Sequence, residues 1–396
     1  MSQPILLLNC GSSSIKYQLL DPAVGVPQAV GIVQRIGQEV STITHEVGEA
    51  EYHDERPFAN HTEAVAAVVA MFRDHGPSLA HVTAVGHRVV HGGAKLVHST
   101  LIDDGVVAQL EELSGLAPLH NPPAIAGIRG AQEVLPDVPH VAIFDTAFFS
   151  TIPASAYTYA IDVDTAQRLG VRKYGFHGTS HSYVSKEAAK FLGRPLAETK
   201  IIVCHLGNGA SISAVDGGVA VDTSMGLTPL QGLVMGTRSG DVDPGLHAYL
   251  IRNGMSIDEV DDLLNKRSGM GGMCGYTDMR DVAAQIEAGD ERARLALDVY
   301  VHRLVSYIGS YLAILGGCDA LVFTAGVGEN AAHVRRPVVE RLRGLGFELD
   351  VQANLVRSKE PRDISAPGSR VKVLVVPTNE ELAMARETVA VISAGE

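Results

Sequence analysis

The chain contains no tryptophan, and aromatic residues make up only 5% of its 396 positions. Its cores must therefore be built mainly from Val, Leu, Ile and Ala. The four cysteines, Cys10, Cys204, Cys274 and Cys318, form no CxxC pair and lie far apart. That argues against a disulfide framework or a zinc site and suits a reducing compartment. No apolar run approaches the roughly 18 residues that a membrane helix needs. The opening MSQPILLLN lacks the cationic start of a secretory leader. A basic surplus is missing as well: the formal net charge is −13, which repels nucleic acid and anionic membranes. There is no GK dipeptide and hence no P-loop, no GxSxG and no HExxH. The pairs Gly207/Gly209 and Gly326/Gly328 lack the third glycine of a dinucleotide fingerprint. The expectation is a soluble, cytoplasmic protein that binds neither nucleic acid nor membrane.

What is present is an ordinary globular balance of 46% hydrophobic and 19% charged residues, in a chain long enough for two domains. Two stretches share one design. In Pro4–Asp21 an apolar run, the turn NCGSSS and a second run follow one another; Lys200–Asp216 repeats this around Gly207-Asn208-Gly209. Each reads as a strand, a Gly turn and a returning strand, and the repetition suggests two domains of one origin. In Thr62–His75, Val65, Val68, Val69 and Phe72 form one helical face, and Gly76-Pro77 ends it. A longer helical pattern over 291–315 leads into the strand ALVFTA and the expected loop Gly326–Asn330. Strands alternating with helices predict an α/β protein, and the opening hairpins make its sheets mixed.

Several groups of residues at strand ends suit an anionic substrate. NCGSSS (Asn9–Ser14, with Lys16 beyond it) and HLGNGAS (His205–Ser211) offer hydroxyls and clustered N–H groups that can wrap phosphate; each equally fits a plain hairpin turn. Arg88 in GHRVVHGG and Arg238 in GTRSGDVDPG present a fork that matches carboxylate or phosphate, or are simply solvated. His177 and His181 stand at i, i+4, as a metal-chelating helix pair would. Gly178 between them is a poor helix former, however, and no third ligand is evident. A histidine donating to a phosphoryl oxygen fits better, and a structural histidine is the plain alternative. Asp145, after HVAIF, and Glu380-Glu381, after VKVLVVPTN, could serve a hard cation such as Mg²⁺ or could favour a helix N-terminus.

Ten motifs in register, NCGSSSIKY, GHRVVHGG, LAPLHNP, FDTAF, YGFHGTSHSYV, HLGNGAS, DTSMGLTPLQG, GTRSGDVDPG, GVGEN and TNEEL, together resemble the acetate kinase family from Asn9 to Glu381. The resemblance implies two related domains of the actin-like ATPase (ribonuclease H-like) fold, with mixed sheets flanked by helices and a cleft between them. The expected domains are 1–149, with 381–396 packing back on it, and 150–380. It also implies a homodimer. The implied reaction is a reversible transfer of the ATP γ-phosphoryl group to acetate, giving acetyl phosphate and ADP. Propionate kinase is the nearest alternative, and a non-catalytic ATP-binding module a remote one.

Position by position, the resemblance implies that Asn9 and Glu380 hold Mg²⁺ (or Mn²⁺), with Glu381 ranked second. ATP contacts are implied at Lys16, at His205, Leu206, Gly207, Asn208 and Gly209, at Asp278, Met279 and Arg280, and at Gly326, Val327, Gly328, Glu329 and Asn330. Arg88 is the implied contact of the substrate carboxylate. His177 and Arg238 are implied to stabilise the transferring phosphoryl group, with His120 and His205 nearby, and Asp145 matches the essential aspartate. Val90, Leu119, Phe176 and Pro229 match the small apolar pocket for the substrate methyl. Acetate is already ionised near neutral pH, so Asp145 is better read as orienting Arg88, a metal-bound water or a neighbouring donor than as a base. Two departures fall on the adenosine side: Ala325 stands where a second Gly is common, and SGMGGMCGY before Asp278 is unusual.

Overall fold

A computed structural model of the chain describes residues 3–118 and 120–394. The chain folds as two units, Met1–Ser150 with Asn379–Glu396, and Thr151–Thr378.

The first unit carries strands β1 (Ile5–Cys10), β2 (Ser14–Leu20), β3 (Pro27–Gln34), β4 (Ser41–Val47), β5 (Ala50–Arg56), β6 (Ala84–Val89), β7 (Thr100–Leu101) and β8 (His140–Phe144). They form one sheet in the order β5-β4-β3-β2-β1-β6-β8-β7. The hairpin β1–β2 is antiparallel, while β1, β6 and β8 run parallel. Parallel neighbours require crossovers, and helices supply them. His61–His75 begins with an Asn60 side-chain cap and ends at Gly76, whose φ is 74°. Its Val65, Val68 and Phe72 are buried in one core with Leu6, Leu8, Ile15 and Tyr17 of the sheet.

The second unit carries β9 (Lys200–Leu206), β10 (Ala210–Asp216), β11 (Val219–Thr223), β12 (Ala320–Thr324), β13 (Arg362–Asp363) and β14 (Lys372–Val375). Their order is β11-β10-β9-β12-β14-β13. Here too the hairpin is antiparallel and the next two strands run parallel to β9. The series β3-β2-β1-β6-β8 and β11-β10-β9-β12-β14 thus share one order, as the two hairpins in the sequence suggested. Helix Glu291–Leu315 buries Tyr300, Leu304, Ile308 and Tyr311. Asn9, Asp145, His205 and Ala325 all stand at or just beyond the carboxyl ends of core strands.

One expectation changes form. The segment Gly326–Asn330 is not an open loop but most of a short helix, Ala325–Asn330. Ala325 enters it at φ 64°, a left-handed conformation that glycine adopts without cost, which explains why Ala is a departure at this position.

Candidate active site

In the first unit, Asn9 stands next to the end of β1, opposite Lys16 on β2, and His61 Nε2 holds the carbonyl of Gly11 in the turn at 2.7 Å. All four cysteines are free. Burial pushes the Cys10 thiol up to about 12, so the cysteine in this turn is no nucleophile. Arg88, on β6, presents its fork to Asp145, just beyond β8: Nε donates to Oδ1 at 2.9 Å and Nη2 to Oδ2 at 2.7 Å. The Asp145 side chain is 2% exposed and that of Arg88 23%. Two parallel bonds fix the plane of the guanidinium. Of the alternatives for Asp145, the orienting of Arg88 is the one with this geometry.

Arg88 lines a cavity of about 430 Å³ together with Asn9, Lys16, Glu380 and Glu381. Burial raises the Glu380 carboxyl to about 7, with Arg88 and Lys16 opposing the rise and Asp145 and Glu381 adding to it. A carboxyl held up in this way has room for a cation beside it. Asn9, Glu380 and Glu381 offer oxygen only, the donor type of Mg²⁺, Mn²⁺ or Ca²⁺. Among the described residues no group of three or more His, Cys, Asp or Glu could hold a metal. This donor set therefore suits an ion that completes its shell with water and phosphate oxygens, as Mg²⁺ does. Val90, beyond β6, and His120, before helix Asn121–Val134, are half-buried. Leu119 lies outside the described residues.

In the second unit, His177 takes φ 62° just before helix Gly178–Phe191. It is therefore not on the helix with His181, and the chelating pair is not formed. Its ring stacks on that of His205, centroids 4.2 Å apart, and the fully buried Phe176 precedes it. Arg238 is half-buried in the segment between β11 and helix Gly245–Arg252. Its Nη1 donates to the Pro229 carbonyl at 2.7 Å, and burial lowers its pKa. Among the described residues no carboxylate pairs with it. Gly209 lies against both side chains: a Cβ there would stand 3.3 Å from Arg238 Nη2 and 3.6 Å from His177 Nε2. A half-buried cation with neutral contacts, beside an imidazole and a bare backbone, is a place for an anion.

A cavity of about 650 Å³ in this unit brings together Gly207 and Asn208, Asp278, Met279 and Arg280, and Gly326, Val327 and Asn330. His205, Leu206, Gly209, Gly328 and Glu329 are not in its wall. Glu329 folds back on its own turn, accepting from Ala325 N at 2.9 Å and Thr378 N at 3.2 Å. Met270, from the unusual SGMGGMCGY segment, lines it too, as do Thr277, Tyr300, His333 and Arg357, which the sequence did not mark. Beneath the turn, the buried Arg335 donates from Nη1 to the Gly328 carbonyl at 2.8 Å, and burial lowers its pKa to about 10. No local pattern marks Tyr300, His333, Arg335 and Arg357, because the fold brings them together from separate segments.

Two mixed sheets of one strand order, with glycine turns at their strand ends, define the two-domain class of actin-like ATPases. Within that class the chain belongs to the acetokinase family, whose pattern it matches over residues 4–386. It is 53% identical over 389 residues to the acetate kinase of Clavibacter sepedonicus, covering 98% of each chain. It is equally identical over 397 residues to the acetate kinase of Streptomyces coelicolor, covering 99% of this chain and 98% of that one. The crystal structure of Porphyromonas gingivalis acetate kinase superposes with a TM-score of 0.94 at 42% identity, over 98% of this chain and 100% of that one. A propionate kinase from Francisella tularensis superposes with a TM-score of 0.91 at 42% identity, over 97% and 98%.

Proposed function

We propose that the chain is an acetate kinase, which moves the γ-phosphoryl group of ATP to acetate and back. The observation that carries the reading is Arg238, a half-buried guanidinium with no carboxylate partner among the described residues, beside His177 and over Gly209.

Acetate needs no base to become a nucleophile. Its carboxylate oxygen attacks the γ-phosphorus in line, the bond to the bridging oxygen of ADP breaks, and no proton moves. The obstacle is the repulsion between two anions, so catalysis rests on positioning and charge. Arg88, held by Asp145, orients the acetate. Arg238 and His177 donate to the phosphoryl oxygens, and the turns at Gly207–Gly209 and Gly326–Asn330 carry the nucleotide. Mg²⁺, held through Asn9 and Glu380, supplies further charge to the phosphates when bound. Acetate over propionate is supported by relatives that are 53% identical and named acetate kinases. A pocket separates one methylene by only about 1–3 kcal/mol, so propionate should be a slower substrate.

The metal reading has a pH signature. A carboxyl whose folded pKa is raised contributes stability at low pH that is lost as pH rises through the folded value. For Glu380 that window runs from its ordinary range up to about 7. Mg²⁺ needs the carboxylate and reverses the loss. Added Mg²⁺ should therefore raise the melting temperature well above pH 7 and little at about one unit below it. An equal rise on both sides would remove Glu380 from the metal site.

The reading includes a cytoplasmic homodimer. No helix among the described residues is long and apolar enough to cross a membrane. Helix Gly245–Arg252 buries none of its residues and leaves Tyr249 62% and Ile251 43% exposed. This is the proposed contact face. Sedimentation at twice the chain mass of 41.9 kDa is expected, and a monomer would refute the dimer.

A further inference from the structure

Behind His177 a chain of buried hydroxyls and an imidazole runs into the second unit. His177 Nδ1 lies 2.8 Å from Ser211 Oγ. The same oxygen lies 2.7 Å from His181 Nε2, and His181 Nδ1 lies 2.7 Å from Ser213 Oγ. Ser211, Ser213 and His181 are fully buried.

A hydroxyl has one proton, so Ser211 donates to one ring and accepts from the other. Only two arrangements of protons are then consistent. In the first, Ser213 donates to His181 Nδ1, His181 donates from Nε2 to Ser211, and Ser211 donates to His177 Nδ1. The proton of neutral His177 is then on Nε2. In the second, every bond is reversed and Ser213 becomes an acceptor. Its own proton would then need another acceptor. Among the described residues the Ser213 hydroxyl has His181 Nδ1 as its hydrogen-bond partner and no other. A buried hydroxyl proton without an acceptor carries its full desolvation cost, so the first arrangement prevails. Burial also pushes the pKa of His181 well below the usual imidazole value, with His205 adding to the effect, so the middle ring keeps one proton.

We infer that Ser211, His181 and Ser213 are positioning residues that hold His177 as the neutral Nε2–H tautomer, making it an uncharged donor to the phosphoryl group. The Nε2 edge is the right one, since it shares the face of Gly209 with Arg238 Nη2. Among the described residues, Arg238 from the segment after β11, His205 stacked on it from β9, and His181 from the following helix face His177. A guanidinium and two imidazoles disfavour a further positive charge. With its proton on Nε2, a neutral His177 donates to the phosphoryl oxygens in both directions of the reaction. The inference rests on the reading that His177 faces the phosphoryl group.

Nitrogen-15 NMR of the full-length protein with labelled histidines tests it, the His177 signals being identified by their loss in His177→Gln. At about pH 7.5 the expected pattern is a protonated Nε2 and a bare Nδ1. A neutral Nδ1–H ring, or an imidazolium, would overturn the assignment. Kinetics give an independent reading. At saturating Mg²⁺, ATP and acetate, kcat should not fall as pH rises from about 6 to 8, because the active ring is neutral. Ser211→Ala should lower kcat about tenfold at unchanged KM for ATP, and Ser211→Thr, which keeps the hydroxyl, should restore it. Unchanged kcat in Ser211→Ala, or a wild-type kcat that falls with deprotonation of an imidazole, would also overturn it. A wild-type protein without any kinase activity would count against the proposed function instead, and the NMR pattern would still decide the tautomer.

Discussion

Arg238→Ala is expected to fold like the parent chain and to lose about 10²–10³ in kcat. The guanidinium takes no part in an ion pair among the described residues, and one of its bonds goes to the Pro229 carbonyl. Burial already opposes its charge, so little folding stability depends on it. Its charge is worth most when an anionic phosphoryl group arrives where water is scarce. The loss should therefore fall on kcat, with the melting temperature nearly unchanged. Arg238→Lys should recover only part of the rate, because a point charge cannot reproduce a two-pronged contact. A purified Arg238→Ala protein with normal turnover would remove the residue from the mechanism.

Asp145→Asn should have the second largest effect, by a different route. The two bonds from Arg88 Nε and Nη2 depend on two carboxylate oxygens; an amide offers one oxygen and one NH₂. Arg88 is then free to leave its plane, and a misplacement of about 1 Å can cost about 10²-fold in rate. The variant should also raise the KM for acetate, because Arg88 is the residue proposed to hold that carboxylate. A third readout separates this account from general damage. Asp145 raises the pKa of Glu380 and Arg88 lowers it, so losing the aspartate charge should let Glu380 ionise at lower pH. The pH at which Mg²⁺ begins to stabilise the protein should move down accordingly. Loss of activity with that pH unmoved would contradict the coupling.

The fold was legible where local pattern decides it. The turns after Cys10 and Leu206 and the Gly76-Pro77 stop are signals confined to a few residues, and β1–β2, β9–β10 and helix His61–His75 follow them. The helical form of Ala325–Asn330 was not legible, because two glycines in six residues argue against a helix. Bonds from Arg335 to the Gly328 carbonyl and from the Ala325 N–H to the Glu329 carboxylate hold the turn instead. His177 and His181 show the same limit from the other side. Their spacing fits a helix pair, but the left-handed backbone of His177 takes it off the helix. Both then bind Ser211, some 30 residues away on β10. The acid–base state of Glu380 was equally hidden, since it arises from burial and from charges on β6 and beyond β8.

The most direct test of the central claim is acyl phosphate formation, trapped as the hydroxamate, by the purified chain with ATP and Mg²⁺. Acetate, propionate and butyrate are compared in parallel. The account predicts product from acetate at the highest kcat/KM, less from propionate and least from butyrate. No acyl phosphate from any of the three would contradict it, and a higher kcat/KM for propionate would replace acetate as the substrate.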